Sequence, residues 1–356
     1  MKKLAVLLSG GVDSAVALNL LHRENRYAIE AFYLKIWLED EFQFLGNCPW
    51  EEDLKYARAV CEQIGVPLKV VSLQDSYWDL VVKSAVSELK AGRTPSPDIL
   101  CNQLVKFGAF LEHIDESYLI ASGHYARILQ DDDGARLYKG NDPIKDQTYF
   151  LSRLSQEQLR RLVFPVGEYP KSEVRELAKE FDLANFDRAD SQGICFLGKI
   201  KYNDFVEIHL GKKTGAIVDI ATGKKLGEHQ GFWFHTIGQR KGLGLHGGPW
   251  FVVKKDCENN IIYVSTTKLD ENLPTSVFEL HDMHWINGKP DQNDQLTIKI
   301  RHGERVIPCQ IEESGDKKLV VTLREPDAGI ASGQYGVIYQ DALCLGAGII
   351  ASSSPE

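Results

Sequence analysis

At 356 residues the chain exceeds what one ordinary hydrophobic core accommodates, so two or three domains are expected. With 43% hydrophobic and 26% charged residues it has the composition of a soluble globular protein, and no window approaches the 18 consecutive apolar residues of a membrane helix. A formal net charge of −9 argues against a protein that coats nucleic acid irrespective of sequence. Residues 199–241 nevertheless carry eight Lys and Arg against four Asp and Glu, a local balance of +4 that leaves room for a basic face. The opening MKKLAVLLSGG has no small-residue cleavage site after its short apolar run, so a cytoplasmic chain without membrane association is expected. Seven cysteines (Cys48, Cys61, Cys101, Cys195, Cys257, Cys309, Cys344) form no CxxC pair, so neither a disulfide framework nor a structural zinc site is expected.

The first 125 residues alternate β-branched runs with amphipathic helical patterns. Residues 4–8, 29–37, 68–73 and 118–122 read as strands, and 14–24 and 50–65 as helices, the second closed by Gly65 and Pro67. This rhythm predicts an α/β fold with a doubly wound, parallel, Rossmann-like sheet that binds ligands at the carboxyl ends of its strands. Residues 156–186 are helical in pattern, with PKSEVRELAKEFDL as a proline-led amphipathic helix. Beyond residue 200 glycines become frequent and strands short, and Glu258, Asn259 and Asn260 mark a hairpin turn. Residues 272–274 read as a linker into a small all-β module, a C-terminal β-barrel. The expected division is 1–198, 199–272 and 273–356.

Within the first repeat, SGGVDS (9–14) joins a strand to a helix through two adjacent glycines. Such a turn presents unpaired backbone N–H groups and the positive end of a helix, which together bind phosphate. The alternative is a plain turn capped by Asp13 or Ser14. The Walker loop is excluded because no lysine follows, and the dinucleotide fingerprint because its glycines are spaced rather than adjacent. The stretch resembles the PP-loop of enzymes that split ATP between its α and β phosphates and adenylate an oxygen of their substrate.

Two further stretches hold cysteines in unusual settings. In TPSPDILCN, Pro95 and Pro97 stiffen the chain before a helix expected near Leu100; this leaves Asp98 as N-cap or functional carboxylate. Cys101 then falls in the helix's first turn, where the dipole favours thiolate, or is a packed thiol. In RADSQGICFLG, Cys195 follows a glycine in a polar loop, with a buried strand position between Ile194 and Phe196 as the alternative.

Taken in order, SGGVDSA, CPWEEDLKYARAVCEQIGVP, PSPDILCN, ASGHYAR, KDQTYFL, DSQGICF, HTIGQRKGLGL and ASGQYGVIY resemble the tRNA-specific 2-thiouridylase family over nearly the whole chain. The resemblance implies a PP-loop domain of the adenine nucleotide alpha hydrolase type, a central tRNA-binding domain and a C-terminal barrel. It implies that ATP, with Mg2+, adenylates the 2-oxygen of the wobble uridine (position 34) in a tRNA anticodon stem-loop, and that sulfur then replaces the oxygen. Cys195 would accept persulfide sulfur from a cysteine desulfurase or relay protein, and Cys101 would attack it, ending in a Cys101–Cys195 disulfide. Asp98 would act as acid or base. Matching positions imply ATP contacts at Leu8, Ser9, Gly10, Gly11, Val12, Asp13, Ser14, Ala15, Leu34 and Gly123. They imply tRNA contacts at Ser96, Pro97, Asp98, Lys145, Asp146, Gln147, Arg301 and His302, and no tightly bound metal. Many members have asparagine where this chain has Ser96. His124 is assigned no catalytic role, and Arg240 and Lys241 stand equally as tRNA contacts or as part of a glycine-rich loop. The competing readings are an amide-forming PP-loop synthetase, which would need neither cysteine, and a non-catalytic tRNA-binding protein.

Overall fold

A computed structural model describes residues 1–36, 49–189, 202–267, 276–291, 295–327 and 329–351. Strand β1 (Lys2–Leu7), helix α1 (Val12–Arg23), strand β2 (Tyr27–Lys35), helix α2 (Pro49–Ile64) and strand β3 (Leu68–Ser72) follow the expected pattern within two residues. Strand β4 (Leu119–Ala121) returns beside β1, a hairpin of β5 (Ala126–Asp131) and β6 (Gly134–Lys139) leaves the sheet, and β7 (Leu162–Val163) rejoins it. The sheet is parallel with order β3-β2-β1-β4-β7. Leu4, Ala5 and Val6 are all fully buried, as a central parallel strand covered on both faces requires. The order turns about β1, with β2 on one side and β4 on the other. A crevice therefore opens beyond the carboxyl ends of β1 and β4.

The helical pattern over 156–186 breaks into a capped turn at Gln156–Leu159, β7, a 3-10 turn at Pro165–Glu168 and helix α3 (Lys171–Glu180), with Pro170 at its N-cap as the proline-led reading expects. The continuous helix fails for a steric and a covalent reason. A Cβ on Gly167 would lie 1.8 Å from the Ala126 carbonyl oxygen, so the chain passes flush against β5, and Pro165 and Pro170 each remove a backbone donor.

In the middle of the chain β8 (Gly215–Asp219), β9 (Lys225–His229), β10 (Phe251–Asp256) and β11 (Ile261–Ser265) form a sheet of order β10-β11-β8-β9 around Ile217, Val252, Ile262 and Val264. The expected turn joins β10 to β11, with Asn260 at φ +54° and its amide donating to the Lys213 and Thr214 carbonyls. Beneath it His229 and His235 meet edge to face, ring centres 5.4 Å apart. Burial, with help from His229 and the Lys255 ammonium, pushes His235 down to about 4, and burial also lowers His229. Because the unfolded chain binds these protons near pH 6.5, stability is complete above that pH and is lost as pH falls toward 4. His235 alone would forfeit about 3 kcal/mol. His235→Phe is expected to flatten the fall in thermal midpoint between pH 6.5 and 4; an unchanged slope refutes this source of acid sensitivity.

The last module comprises β12 (Val277–Trp285), β13 (Leu296–Lys299), β14 (Ile307–Gly315), β15 (Lys318–Leu323), β16 (Tyr335–Gln340) and β17 (Leu343–Ile350). Pairing of β12 with both β15 and β17 closes six strands into a barrel around Leu280, Ile298, Val321 and Ile338. Strand β6 adds to β17 at Leu343 and Cys344, so the hairpin from the first module extends the barrel's sheet. No helix among the described residues is long and apolar enough to cross a membrane.

Candidate active site

The turn after β1 is held open by backbone geometry. Gly10 has φ +76°, and a Cβ there would lie 2.3 Å from the Asp53 carbonyl oxygen, which restricts the position to glycine. Its own carbonyl accepts from Asn185 Nδ2 and Arg188 Nη1, both at 2.9 Å. Gly11 is the N-cap of α1 and has no side-chain cap. The capping alternative for Asp13 and Ser14 is thereby removed. Ser14 Oγ donates to the Gly11 carbonyl at 3.0 Å and accepts from Ser9 N at 3.2 Å, so it braces the turn from within. Asp13 Oδ1 accepts from the Tyr125 hydroxyl at 2.8 Å and from the Lys171 ammonium, which fixes the carboxylate at the mouth of the turn. Gly123 passes opposite; a Cβ there would sit 2.7 Å from Ser14 N.

A cavity of about 310 Å³ opens over this turn. Eight of the ten expected ATP positions line it; Gly10 and Ala15 do not. Gly10 instead supplies the carbonyl just described, and Ala15 is buried in the core on α1. Sequence reasoning missed Tyr33, Asp53, Lys106, Ser122 and His124 in the lining. Asp53 is held by Arg188 from the edge of the RADSQGICF stretch, and Ser122 Oγ lies 2.7 Å from His124 Nδ1. Burial and the Lys106 ammonium push His124 well below the ordinary histidine value, so it lines the cavity as a neutral ring. Its position inside ASGHYAR was the signal available.

Residues 97–106 lead to the next part of the wall, which they reach at Lys106. The helix starts at Pro97, with Ser96 as N-cap, rather than near Leu100. Proline at the first helical position supplies the right φ and lacks a donor that would be orphaned there. Asp98 therefore lies inside the first turn instead of capping it, and Cys101 opens a π-helical stretch, Cys101–Lys106, beyond that turn. The dipole argument for Cys101 weakens accordingly, because the effect fades past the first turn. Asn102 Nδ2 donates to the Asp98 carbonyl at 2.9 Å and secures the change of pitch. Cys101 is fully buried, and Asp98 is half-buried close enough to His302 to act on its charge. Cys195 lies outside the described residues, as does Cys48.

The barrel supports this wall. Thr94 N donates to the Ser332 carbonyl at 2.7 Å, and Gln334 Nε2 donates to the Pro95 carbonyl at 2.9 Å. Of the trio expected to meet tRNA, Lys145 and Gln147 line the cavity, Gln147 with its Oε1 accepting from Tyr125 N at 2.9 Å, whereas Asp146 is buried in an ion pair with Lys299 at 2.8 Å. KDQTYFL is thus a seam between modules: Thr148 meets the Tyr339 hydroxyl, Tyr149 donates to the Tyr335 carbonyl, and Phe150 stacks on His302 at 4.4 Å. Arg301 makes a forked pair with the buried Asp327 at 3.0 and 3.2 Å. Ser96, Asp98, Arg301 and His302 therefore gather at one junction, Ser96 through its contact with Tyr149.

A glycine turn into a helix at the switch point of a parallel sheet, forming one wall of a cavity, defines a phosphate-binding α/β protein of the PP-loop class. Family models match along the chain: a tRNA methyl transferase HUP domain over residues 2–199, a tRNA methyl transferase PRC-barrel domain over 203–266 and an aminomethyltransferase beta-barrel domain over 275–350. The chain is 44% identical over 354 residues to the tRNA-specific 2-thiouridylase MnmA 1 of Bacteroides thetaiotaomicron, covering 98% of this chain and 99% of that one. It is 45% identical over 355 residues to the tRNA-specific 2-thiouridylase MnmA of Parabacteroides distasonis, covering 98% of each. The Shewanella sediminis protein of the same name is 42% identical over 361 residues. The chain belongs to the tRNA-specific 2-thiouridylase family.

Proposed function

We propose that this chain is an ATP-dependent tRNA-uridine 2-sulfurtransferase acting on the wobble uridine. The observation that carries the reading is that one short helix, residues 97–106, joins Asp98 and Cys101 to the wall of the cavity built over SGGVDS. A generic ATP-splitting synthetase has no use for a buried thiol on the helix that reaches the cavity at Lys106, and a non-catalytic tRNA binder has no use for the cavity.

The uridine 2-oxygen attacks the α-phosphorus, the bond to the β-phosphate oxygen breaks, and pyrophosphate leaves with the electron pair. Asp98 takes the N3 proton. The terminal sulfur of a Cys195 persulfide then adds to C2, and AMP departs with the former carbonyl oxygen. Cys101 attacks the Cys195 sulfur to release the thiocarbonyl, and a thiol reductant reduces the resulting Cys101–Cys195 disulfide to the two thiols, itself becoming oxidised. Ser9 to Ser14 hold the phosphates, and Tyr33 and Leu34 form the apolar end of the cavity. Magnesium arrives with ATP; the described residues contain no cluster of three metal-ligating side chains. Arg301 and His302 meet the RNA at the barrel rim, and the base must leave the anticodon stack to reach the thiols. A cysteine desulfurase or relay protein supplies the persulfide, the reaction is cytoplasmic, and the division 1–198, 199–272 and 273–356 separates catalysis from the two RNA-binding modules.

Incubation of the protein with tRNA, ATP, a desulfurase and cysteine is expected to yield 2-thiouridine by mass spectrometry of the nucleosides. AMP formation without any thionucleoside, under conditions that load persulfide, would reject the reading in favour of another adenylating activity.

A further inference from the structure

Of the three phosphates of ATP, the α-phosphate alone becomes bonded to the base, so it must face the element whose thiol completes chemistry at the neighbouring carbon. Taking the cavity as the ATP site, on which this inference rests, that element is residues 97–106. It reaches the cavity through Lys106. Cys101 and Lys106 are the two ends of one π-helical stretch, about one hydrogen-bonded turn apart, as the 3.0 Å bond from Phe107 N to the Asn102 carbonyl shows. Lys145 lines the same cavity from another segment, while beside the glycine turn Lys171 holds Asp13 and Arg188 holds Asp53; among these cations Lys106 is the one carried on the helix of Cys101. The ring beside Lys106, His124, is neutral and adds no positive charge.

We propose that Lys106 is a catalytic residue of the adenylation step: its ammonium contacts the α-phosphate oxygens and stabilises the charge that builds on them as the 2-oxygen bonds to phosphorus and pyrophosphate departs. Lys106 keeps its protons throughout; its contribution is electrostatic and is largest in the transition state. Placing it on the helix of Cys101 ties the position of the activated base to that of the attacking thiol.

The test is single-turnover release of pyrophosphate from ATP in the presence of substrate tRNA and absence of sulfur donor. Loss of one charge-stabilising donor predicts that Lys106→Gln slows this step by about a hundredfold or more at saturating ATP, with tRNA affinity within about threefold of wild type. Lys106→Arg is expected to recover at least about tenfold over Lys106→Gln, because it restores the charge. A Lys106→Gln rate within about threefold of wild type, or an arginine variant no faster than the glutamine variant, overturns the proposal. Should Lys106→Gln melt early, Lys106→Arg decides by itself: a rate within about tenfold of wild type supports the role, and a loss beyond about a hundredfold overturns it. Wild-type protein that releases no pyrophosphate with tRNA overturns the ATP reading and this inference together, whereas an active wild type with an unaffected glutamine variant overturns this inference alone.

Discussion

Asp146→Ala is expected to cost about 3–5 kcal/mol of stability, because it strands the Lys299 ammonium in the protein interior. Both side chains of this pair are almost wholly buried, at 6% and 4% exposure, and Asp146 also accepts from Thr148 N and Oγ1 at 3.0 and 2.7 Å. Lys139 lies in the same pocket over the Tyr339 ring, and burial together with Lys299 already lowers its proton affinity. Removing the carboxylate leaves two lysines facing each other in a poor dielectric. The urea midpoint should fall sharply, and Asp146→Ala with Lys299→Met should be more stable than Asp146→Ala alone, because the second change removes the stranded charge. A single-variant loss below about 1 kcal/mol would contradict this account. Since the pair joins KDQTYFL to the barrel, the variant should also loosen the wall that carries Asp98.

Cys101→Ser is expected to lower 2-thiouridine formation by at least about a thousandfold while tRNA-dependent pyrophosphate release continues. Serine is close in size to cysteine and Cys101 has 0% exposure, so the fold should hold and the loss should fall on sulfur release. A hydroxyl cannot resolve a persulfide at neutral pH, whereas a thiol near its pKa can. Complete burial adds a kinetic expectation: alkylation of Cys101 in the protein alone should lag behind that of the half-buried Cys257. Retained thiolation in the serine variant would remove Cys101 from the mechanism. A faster alkylation at Cys101 than at Cys257 would show that the described conformation opens readily without RNA.

The parts of this protein that its sequence determined are those written in short-range patterns. Continuous apolar runs and helical spacing placed four strands and two helices of the parallel sheet within two residues, because one chain face and one period suffice to specify them. Two adjacent glycines between strand and helix specified the phosphate turn for the same reason: the required φ at Gly10 is a property of the residue itself. Ordered motifs then identified the family. The helix start at Pro97 was missed because Asp98 is a good cap in isolation, while the actual boundary is pinned by the barrel's Gln334 and Ser332, more than 230 positions away in number.

Tertiary structure alone decided which polar residues are structural and which face the cavity. Asp13, Asp53, Lys145 and Asp146 are indistinguishable as charged residues in loops or helix starts, yet Asp13 is clamped by Tyr125 and Lys171, Asp53 by Arg188, and Asp146 by Lys299. The same holds for the hairpin β5–β6, which the sequence reading did not place and which joins β17 of the barrel. A buried charge is tolerated where a partner from elsewhere in the chain arrives with the right geometry, and no local pattern records that arrival.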